Sequence, residues 1–454
     1  MKRYFPTYGA LALVCLSACT EKDPTASLDE FVGELNPRTV EVVLPFEEFT
    51  GGVEVLGGYG NVSSMGRGVL AKDFQGLNSR VLIRFGTYPD SVRIFDSSTG
   101  IASWDKDHLI VGGRLVLFFD TIQGVALGPA DLTAHATQQE WDARTANWDV
   151  AVDTLGRRLE WLVPGGGNTV PIGSGFFDRQ FGRSESDTLP FNDSLSIAMD
   201  SAQIAAWSDP TDVTRGVLLT LDDNGRRLVL EGARLRLTIR PSLAFVDGGE
   251  FPDSLIEESA FGGESTFIYD PFPGLTNDEL RVGGAPSWRS VLNLDIPRVL
   301  TGPAEVCAVL ACPFDLAASD AQLGLAELIL TTRETLPAYE LFDTLDIDLR
   351  AVSSPELLPK SPLGGQLAGA VGVPVRPSMF SDEAGTKVEF PLTGLVNDLM
   401  FGDSLRLATT PDHVVFLTIG EPRSLGFASF HGAGSPDAPA LRLLLTVAGK
   451  LTLP

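Results

Sequence analysis

From Thr39 onward the dominant signal in the chain is an apolar and polar alternation with a period of two. That is the repeat of a pleated strand with one face buried and one face wet. Val40, Val42 and Leu44 alternate with their neighbours, as do Leu115 and Leu117, then Leu235, Leu237 and Ile239, and later Leu345, Ile347 and Leu349. Helical periodicity is sparse. Leu392, Leu395, Val396, Leu399 and Met400 fit one short helix, and Ser201 to Trp207 a second. Gly 47 and Pro 30 are scattered along the sequence, which suits many short strands joined by turns. Asp222-Asp223-Asn224-Gly225 separates two apolar runs, and Asn-Gly tolerates the positive φ angles of a tight turn, so an antiparallel hairpin is expected there. The expected fold class is all-β.

The chain also repeats itself with a long period. Arg80-Val81-Leu82-Ile83-Arg84-Phe85 is echoed 209 positions later (289 − 80) by Arg289-Ser290-Val291-Leu292-Asn293-Leu294. Gly216 to Leu221 is echoed by Val414 to Ile419, and Arg234 to Ile239 by Arg442 to Val447. In both halves the short helix precedes the Thr-containing strand. Three echoes in one order point to two homologous β modules. They are expected over 38–245 and 257–454, with a linker at 246–256 inside the acidic stretch Phe245 to Glu258.

Upstream of the alternation the chemistry changes. Lys2 and Arg3 form a basic head, Gly9 to Val14 is apolar, and Leu16-Ser17-Ala18-Cys19 closes the segment. The layout is that of a secretory signal, here residues 1–18, and is too short to span a bilayer as a helix. Its last four residues resemble the bacterial lipobox, in which cleavage precedes a cysteine whose sulfur receives a diacylglycerol. The resemblance implies lipidation at Cys19 and membrane attachment through acyl chains. The alternative is an ordinary signal peptide with a chance cysteine. Thr20 stands where an inner-membrane retention signal usually carries Asp, so the outer membrane is the expected destination. Residues 19–37 are polar and read as a flexible tether.

Removal of 1–18 leaves enough chain for two domains of about 200 residues, each able to bury a core. The net charge of −25 disfavours nucleic acid, because phosphate binding draws on Lys and Arg clusters. Cys15 leaves with the signal and Cys19 takes the lipid. In an exported chain, the remaining Cys307 and Cys312 are expected to form a disulfide that pins a turn, in preference to two free thiols. The spacing is not Cys-x-x-Cys, and no partner His or Cys suggests zinc.

The order of strands, with an early Arg-x-Leu-Ile-Arg-Phe, a Trp-rich segment and a closing Leu-x-Leu, resembles the DNRLRE-type modules of bacterial surface proteins. Those are jelly-roll-like β-sandwiches related to carbohydrate-binding modules. The most specific piece is Glu140-Trp141-Asp142-Ala143-Arg144-Thr145-Ala146-Asn147-Trp148, similar to the family's Trp-Thr-Glu…Thr-Trp segment with its acid displaced by one position. The second module lacks both tryptophans and matches only in strand order and in its ending, Pro439 to Leu443. The resemblance implies two tandem jelly-roll-like antiparallel β-sandwich domains.

Catalytic and metal signatures are absent from the sequence. His108, His135, His413 and His431 are widely separated without ligand spacing. No Gly-x-Ser-x-Gly elbow, phosphate loop or HExxH helix occurs. His431-Gly432-Ala433-Gly434-Ser435 reads as a surface turn, and Pro164-Gly165-Gly166-Gly167 as a flexible connection. Asp222 to Gly225 lacks the spacing of an EF-hand. No cofactor or metal is expected. Aromatic faces are the remaining route to function, since sugars stack their C–H groups on them. Trp141 and Trp148 are the candidate glycan contacts, against the simpler reading that both pack in a core. The leading expectation is a non-catalytic, lipid-anchored envelope protein, facing the periplasm or the cell surface, that binds a glycan or another surface component. The alternatives are an assembly subunit contacting envelope proteins through sheet edges, and an exported hydrolase with a facing carboxylate pair.

Overall fold

The computed structural model describes residues 38–95, 101–120, 129–179, 193–242, 255–276, 278–307, 312–315, 321–369, 371–401 and 410–447. The signal segment, Cys19, the tether and most of the expected linker lie outside them. The protein is all-β, and its strands fall into two halves that use the same plan.

In the amino-terminal part, β1 (Arg38–Leu44), a single helical turn α1 (Phe46–Phe49) and β2 (Thr50–Tyr59) lead to β3 (Gly68–Phe74) and β4 (Leu77–Phe85). Then come β5 (Val92–Phe95), β6 (Ala102–Asp105), β7 (Leu109–Phe119), β8 (Ala130–Thr137), β9 (Val150–Thr154), β10 (Arg157–Glu160), β11 (Thr169–Phe177) and β12 (Ser194–Ala198). Helix α2 (Ser201–Ala206) is capped by the Asp200 carboxylate, which accepts from the Gln203 backbone N–H. It precedes β13 (Val217–Leu221) and the long β14 (Arg226–Arg240).

The carboxyl-terminal part repeats this order. It contains β15 (Ile256–Asp270), β16 (Glu279–Gly283), β17 (Ser287–Leu294), β18 (Val299–Leu300), β19 (Phe314–Asp315), β20 (Ala321–Thr331) and β21 (Leu345–Val352). After these come β22 (Leu363–Gln366), β23 (Val373–Val375), β24 (Lys387–Pro391), helix α3 (Thr393–Phe401), β25 (His413–Thr418), β26 (Phe427–His431) and β27 (Ala440–Val447). The three echoed pairs of segments fall on β4 and β17, β13 and β25, and β14 and β27. In both halves the helix precedes the Thr-containing strand. Within the first half Leu82 opposes Leu218, and within the second Val291 opposes Val415, so the echoed strands are also partners in the same way.

The sheets do not respect the boundary expected from the repeat. β1 pairs with β27 and β2 with β17, so residues 38–59 belong to the sandwich of the second half. In return, the first part of β15 pairs with β14 and its second part with β4, inside the first half. The two arrangements are equivalent: Arg38 opposes Val447 as Ile256 opposes Ile239, and Glu54 opposes Val291 as Thr266 opposes Leu82. Each repeat therefore lends its opening strand to the other. From 38 to 54 is 16 positions and from 256 to 266 is 10, and α1 with its flanks supplies the six extra residues. Strand pairing thus crosses the boundary expected between 38–245 and 257–454, because alternation reports that a strand is half-buried and not which sheet receives it.

Alternation gives way to continuous apolar runs where both faces are covered. In β4 and β13, Val81, Ile83, Val217 and Leu219 point into the main core of the first half, while Leu82 and Leu218 point outward into a smaller cluster. The second half does the same with Val414 and Phe416 inward and Val415 and Leu417 outward. The expected hairpin at Asp222 to Gly225 is a turn, with Gly225 at φ +69°, but β13 and β14 do not pair with each other. Tight two-residue hairpins lie instead at β3–β4, where Phe74 opposes Leu77 and Gln75 and Gly76 both take positive φ, and at β9–β10, where Thr154 opposes Arg157.

The first core runs on into Ala285, Ala338, Tyr339, Leu425 and Phe427 of the second half. Along this seam the Tyr269 hydroxyl donates to the Ala285 carbonyl at 2.6 Å, and Tyr339 donates to the Pro271 carbonyl. The guanidinium of Arg227, 2% exposed, lies 3.9 Å from the Phe342 ring centroid and donates to the Ala338 carbonyl at 3.1 Å. Burial pushes its pKa down to about 9.

Candidate binding cleft at the Trp-rich segment

The segment between β8 and β11 carries the tryptophans and folds over the outward face of β4, β13 and β15. Leu82, Leu218 and Ile268 on that face are buried against Trp141, Ala146, Val152 and Trp161. Trp141 is 2% exposed, with the Arg84 guanidinium 4.3 Å from its ring centroid. Arg84 is held by the Trp141 and Val213 carbonyls at 2.9 and 3.0 Å and by Glu264 at 2.7 Å. Trp141 is therefore a core residue and offers no face to a ligand.

Trp148, seven residues on, is half-buried. Arg80 covers one side of it at 5.0 Å and donates to the Gly165 carbonyl at 2.5 Å. Gly165, Gly166 and Gly167 have φ of +86°, +123° and +77°. A β-carbon on them would lie 2.8 Å from Trp148, 2.7 Å from Leu218 and 2.9 Å from Trp161. These glycines allow close packing against the tryptophans and are not the loose connection expected from their composition.

Trp148 lines a cleft of about 370 Å³. Its walls come from four places: Arg144 to Asp149 of the Trp-rich segment, Gly60 to Val62 after β2, the end of β15 with Phe272, and Pro286 before β17. Phe272 is 49% exposed and stacks on Tyr269 with ring centroids 6.1 Å apart. Asn147 is fixed by its own turn, its side-chain oxygen accepting from the Asp149 and Val150 N–H groups at 3.0 Å, while its carbonyl receives the Trp161 indole N–H at 2.7 Å. The result is two aromatic rings in a groove with amides at Asn61 and Asn147, carboxylates at Asp149 and Asp270, and a cation at Arg144. Sequence reasoning found Trp148 but missed Phe272, Asn61 and Asp270, which reach the cleft only because the strands are exchanged.

Other candidates resolve as structural. Among the described residues, no group of three His, Cys, Asp or Glu side chains is placed to hold a metal ion. His135 meets Thr220 at 3.1 Å, and burial lowers its pKa. Ser435 meets His431 at 2.8 Å and also accepts from the Asp437 N–H, as a turn residue before β27 does. Asp222 accepts from Thr133 at 2.6 Å and Asp223 from the Asp131 N–H at 2.7 Å, so these acids brace their own turn. Cys307 and Cys312 are joined in a disulfide. Among the described residues, no helix is long and apolar enough to cross a membrane.

No family model matches the chain, and no curated protein does. Among solved structures, a chain from the atomic structure of Sulfolobus turreted icosahedral virus aligns over 94% of this protein and 95% of its own length, at 10% identity and a TM-score of 0.11. That score carries no fold relationship.

Proposed function

We propose that this is a non-catalytic, lipid-anchored envelope protein that binds a glycan in the Trp148–Phe272 cleft. The observation that carries the reading is the pairing of two accessible aromatic rings with amide and carboxylate groups in one groove, the combination that grips a sugar's C–H face and its hydroxyls. Attachment through Cys19 is supported by the Leu16-Ser17-Ala18-Cys19 ending of the signal-like segment, which resembles a lipobox, and the outer membrane by Thr20. The binding test is titration of the chain with an oligosaccharide panel, followed by intrinsic fluorescence and calorimetry, alongside Trp148→Ala and Phe272→Ala. Binding to at least one oligosaccharide, weakened roughly tenfold or more in each variant, is the expected result. If no sugar binds, or both variants bind as the parent does, the cleft is not a glycan site. The anchor is tested separately by palmitate labelling, which Cys19→Ala should abolish.

A second reading, an assembly subunit, is favoured by a different observation. Leu155, Leu162 and Val163 of the Trp-rich segment are 106%, 76% and 56% exposed, apolar side chains in water at the two ends of β10 on a strongly acidic protein. Envelope proteins retained on the immobilised parent but not on a Leu155→Asp, Leu162→Asp variant would support it.

A further inference from the structure

We propose that residues 38–59 are an exchangeable strand. The groove they fill in the second half is then a strand-acceptor site, and its partner is the same segment of a second copy of this chain.

The exchange of strands between the halves is reciprocal. Twice in one chain, a sandwich is completed by a strand that the sequence repeat assigns to the other half. The acceptor recognises a backbone edge and a row of apolar side chains, and it has no means of sensing which molecule supplies them. The donor segment carries what such a groove needs. Val40, Val42, Leu44, Phe46 and Phe49 are between 0% and 8% exposed. β1 forms seven register pairs with β27, from Arg38 opposite Val447 to Leu44 opposite Leu441. Both donor strands lie at sheet margins: β1 ends its sheet, and β2 attaches to β17 alone. Their departure breaks no pairing among the strands left behind.

The connection to the rest of the chain permits the change of partner. Only residues 60–67 link β2 to β3. They include Gly60 and Gly66 at φ +73° and +66°, and nothing lies within 4 Å of a β-carbon placed on Gly66. Two copies that trade 38–59 keep every strand contact of the monomer; what changes is the path and packing of 60–67, where Val62 is buried in the first core and Gly60 lies against Pro422. The exchanged pair differs from two monomers mainly by association entropy, so its population rises with concentration.

The test uses the register. Thr39 and Thr446 oppose each other across β1 and β27, with Thr39 exposed and Thr446 half-buried, so a cysteine at either position leaves the core intact. Two full-length chains, both with Cys15→Ser and Cys19→Ser, carry Thr39→Cys and Thr446→Cys respectively. They are mixed at high concentration, warmed to just below the unfolding midpoint, cooled and oxidised. A covalent dimer joined through positions 39 and 446 is expected, with a yield that rises with concentration and falls without warming. Thr39→Cys mixed with Thr169→Cys, whose thiol lies on β11 of the other sandwich, is expected to give several-fold less. Equal yields in the two mixtures, or no dimer in the first at any concentration while each variant retains the parent circular dichroism, would overturn the proposal.

Discussion

At the scale of single residues, Trp141 and Trp148 separate two roles that the sequence left superimposed. Trp141 is 2% exposed beneath Arg84 and fills the space over Leu82 and Leu218. Its truncation to alanine leaves a cavity, with an expected loss of about 3 to 5 kcal/mol by denaturant titration and no direct effect on a ligand in the cleft. Trp148 is half-buried, so Trp148→Ala is expected to cost only about 1 to 2 kcal/mol while removing one wall of the groove. The reverse pattern, with Trp141→Ala stable and unable to bind sugar, would reject this assignment. His135 supplies a pH dependence. Burial lowers its pKa in the folded state, so below the ordinary histidine range the unfolded chain takes up the proton more readily than the folded one. Its contribution to stability is therefore present above about pH 6.5 and shrinks as the pH falls towards the lowered folded value. Urea midpoints at pH 7.5 and pH 5 should differ by less in His135→Gln than in the parent.

At the scale of elements, alternation placed the strands it singled out and helical spacing placed α2 and α3, but nothing in the pattern announced α1. Leu235, Leu237 and Ile239 are all 0% exposed in β14, and Leu395, Val396 and Met400 are the buried residues of α3. Partnership was less legible. Val40, Val42 and Leu44 have the same pattern whether they cover the first core or the second, and only the register to β27 decides. Likewise the Asn224-Gly225 turn was visible, but not that the strands beside it pair with other neighbours. The cleft suffered most from this limit, because Asp270 arrives there at the end of β15 and Phe272 just after it, on the strand that a linear reading assigns to the other module. Substitution in β1 tests the exchange directly. Val42 is 5% exposed opposite Leu443, and Val42→Asp would bury a charge without a partner. A loss of about 3 kcal/mol or more is expected. Under native conditions amide exchange should accelerate first in β27 and β20, about 400 and 280 positions away in sequence, and not in β3 and β4 next to it. Acceleration confined to 68–85 would return β1 to the first half.

At the scale of the whole molecule, strand exchange and the aromatic seam act together on cooperativity. Two sandwiches joined only by a linker would melt one after the other, because few contacts would cross between them. Here each half lacks a strand unless the other repeat supplies it, β1 and β2 in the second half and β15, between β4 and β14, in the first. Unfolding of the first half withdraws the core that holds Val62, to which β2 is tied through Gly60 and Asn61, and unfolding of the second strips the packing from β15 at Tyr269. The seam adds to this coupling, since Arg227 rests on Phe342 and Tyr339 stacks on Phe427 with ring centroids 5.7 Å apart, inside a core continuous with the first sandwich. Partial unfolding would leave the Arg227 guanidinium and the seam aromatics half-exposed without freeing the whole chain's entropy, so an intermediate with one intact half is disfavoured. The expected result is a single thermal transition in calorimetry, with the calorimetric enthalpy matching the van't Hoff enthalpy despite the two sandwiches. Hydrogen exchange in β13 and β25, the corresponding central strands, should reach the same limiting protection. Two resolved transitions, with β25 exchanging globally while β13 stays protected, would mean that the lent strands are peripheral to stability and that the halves are independent domains in contact.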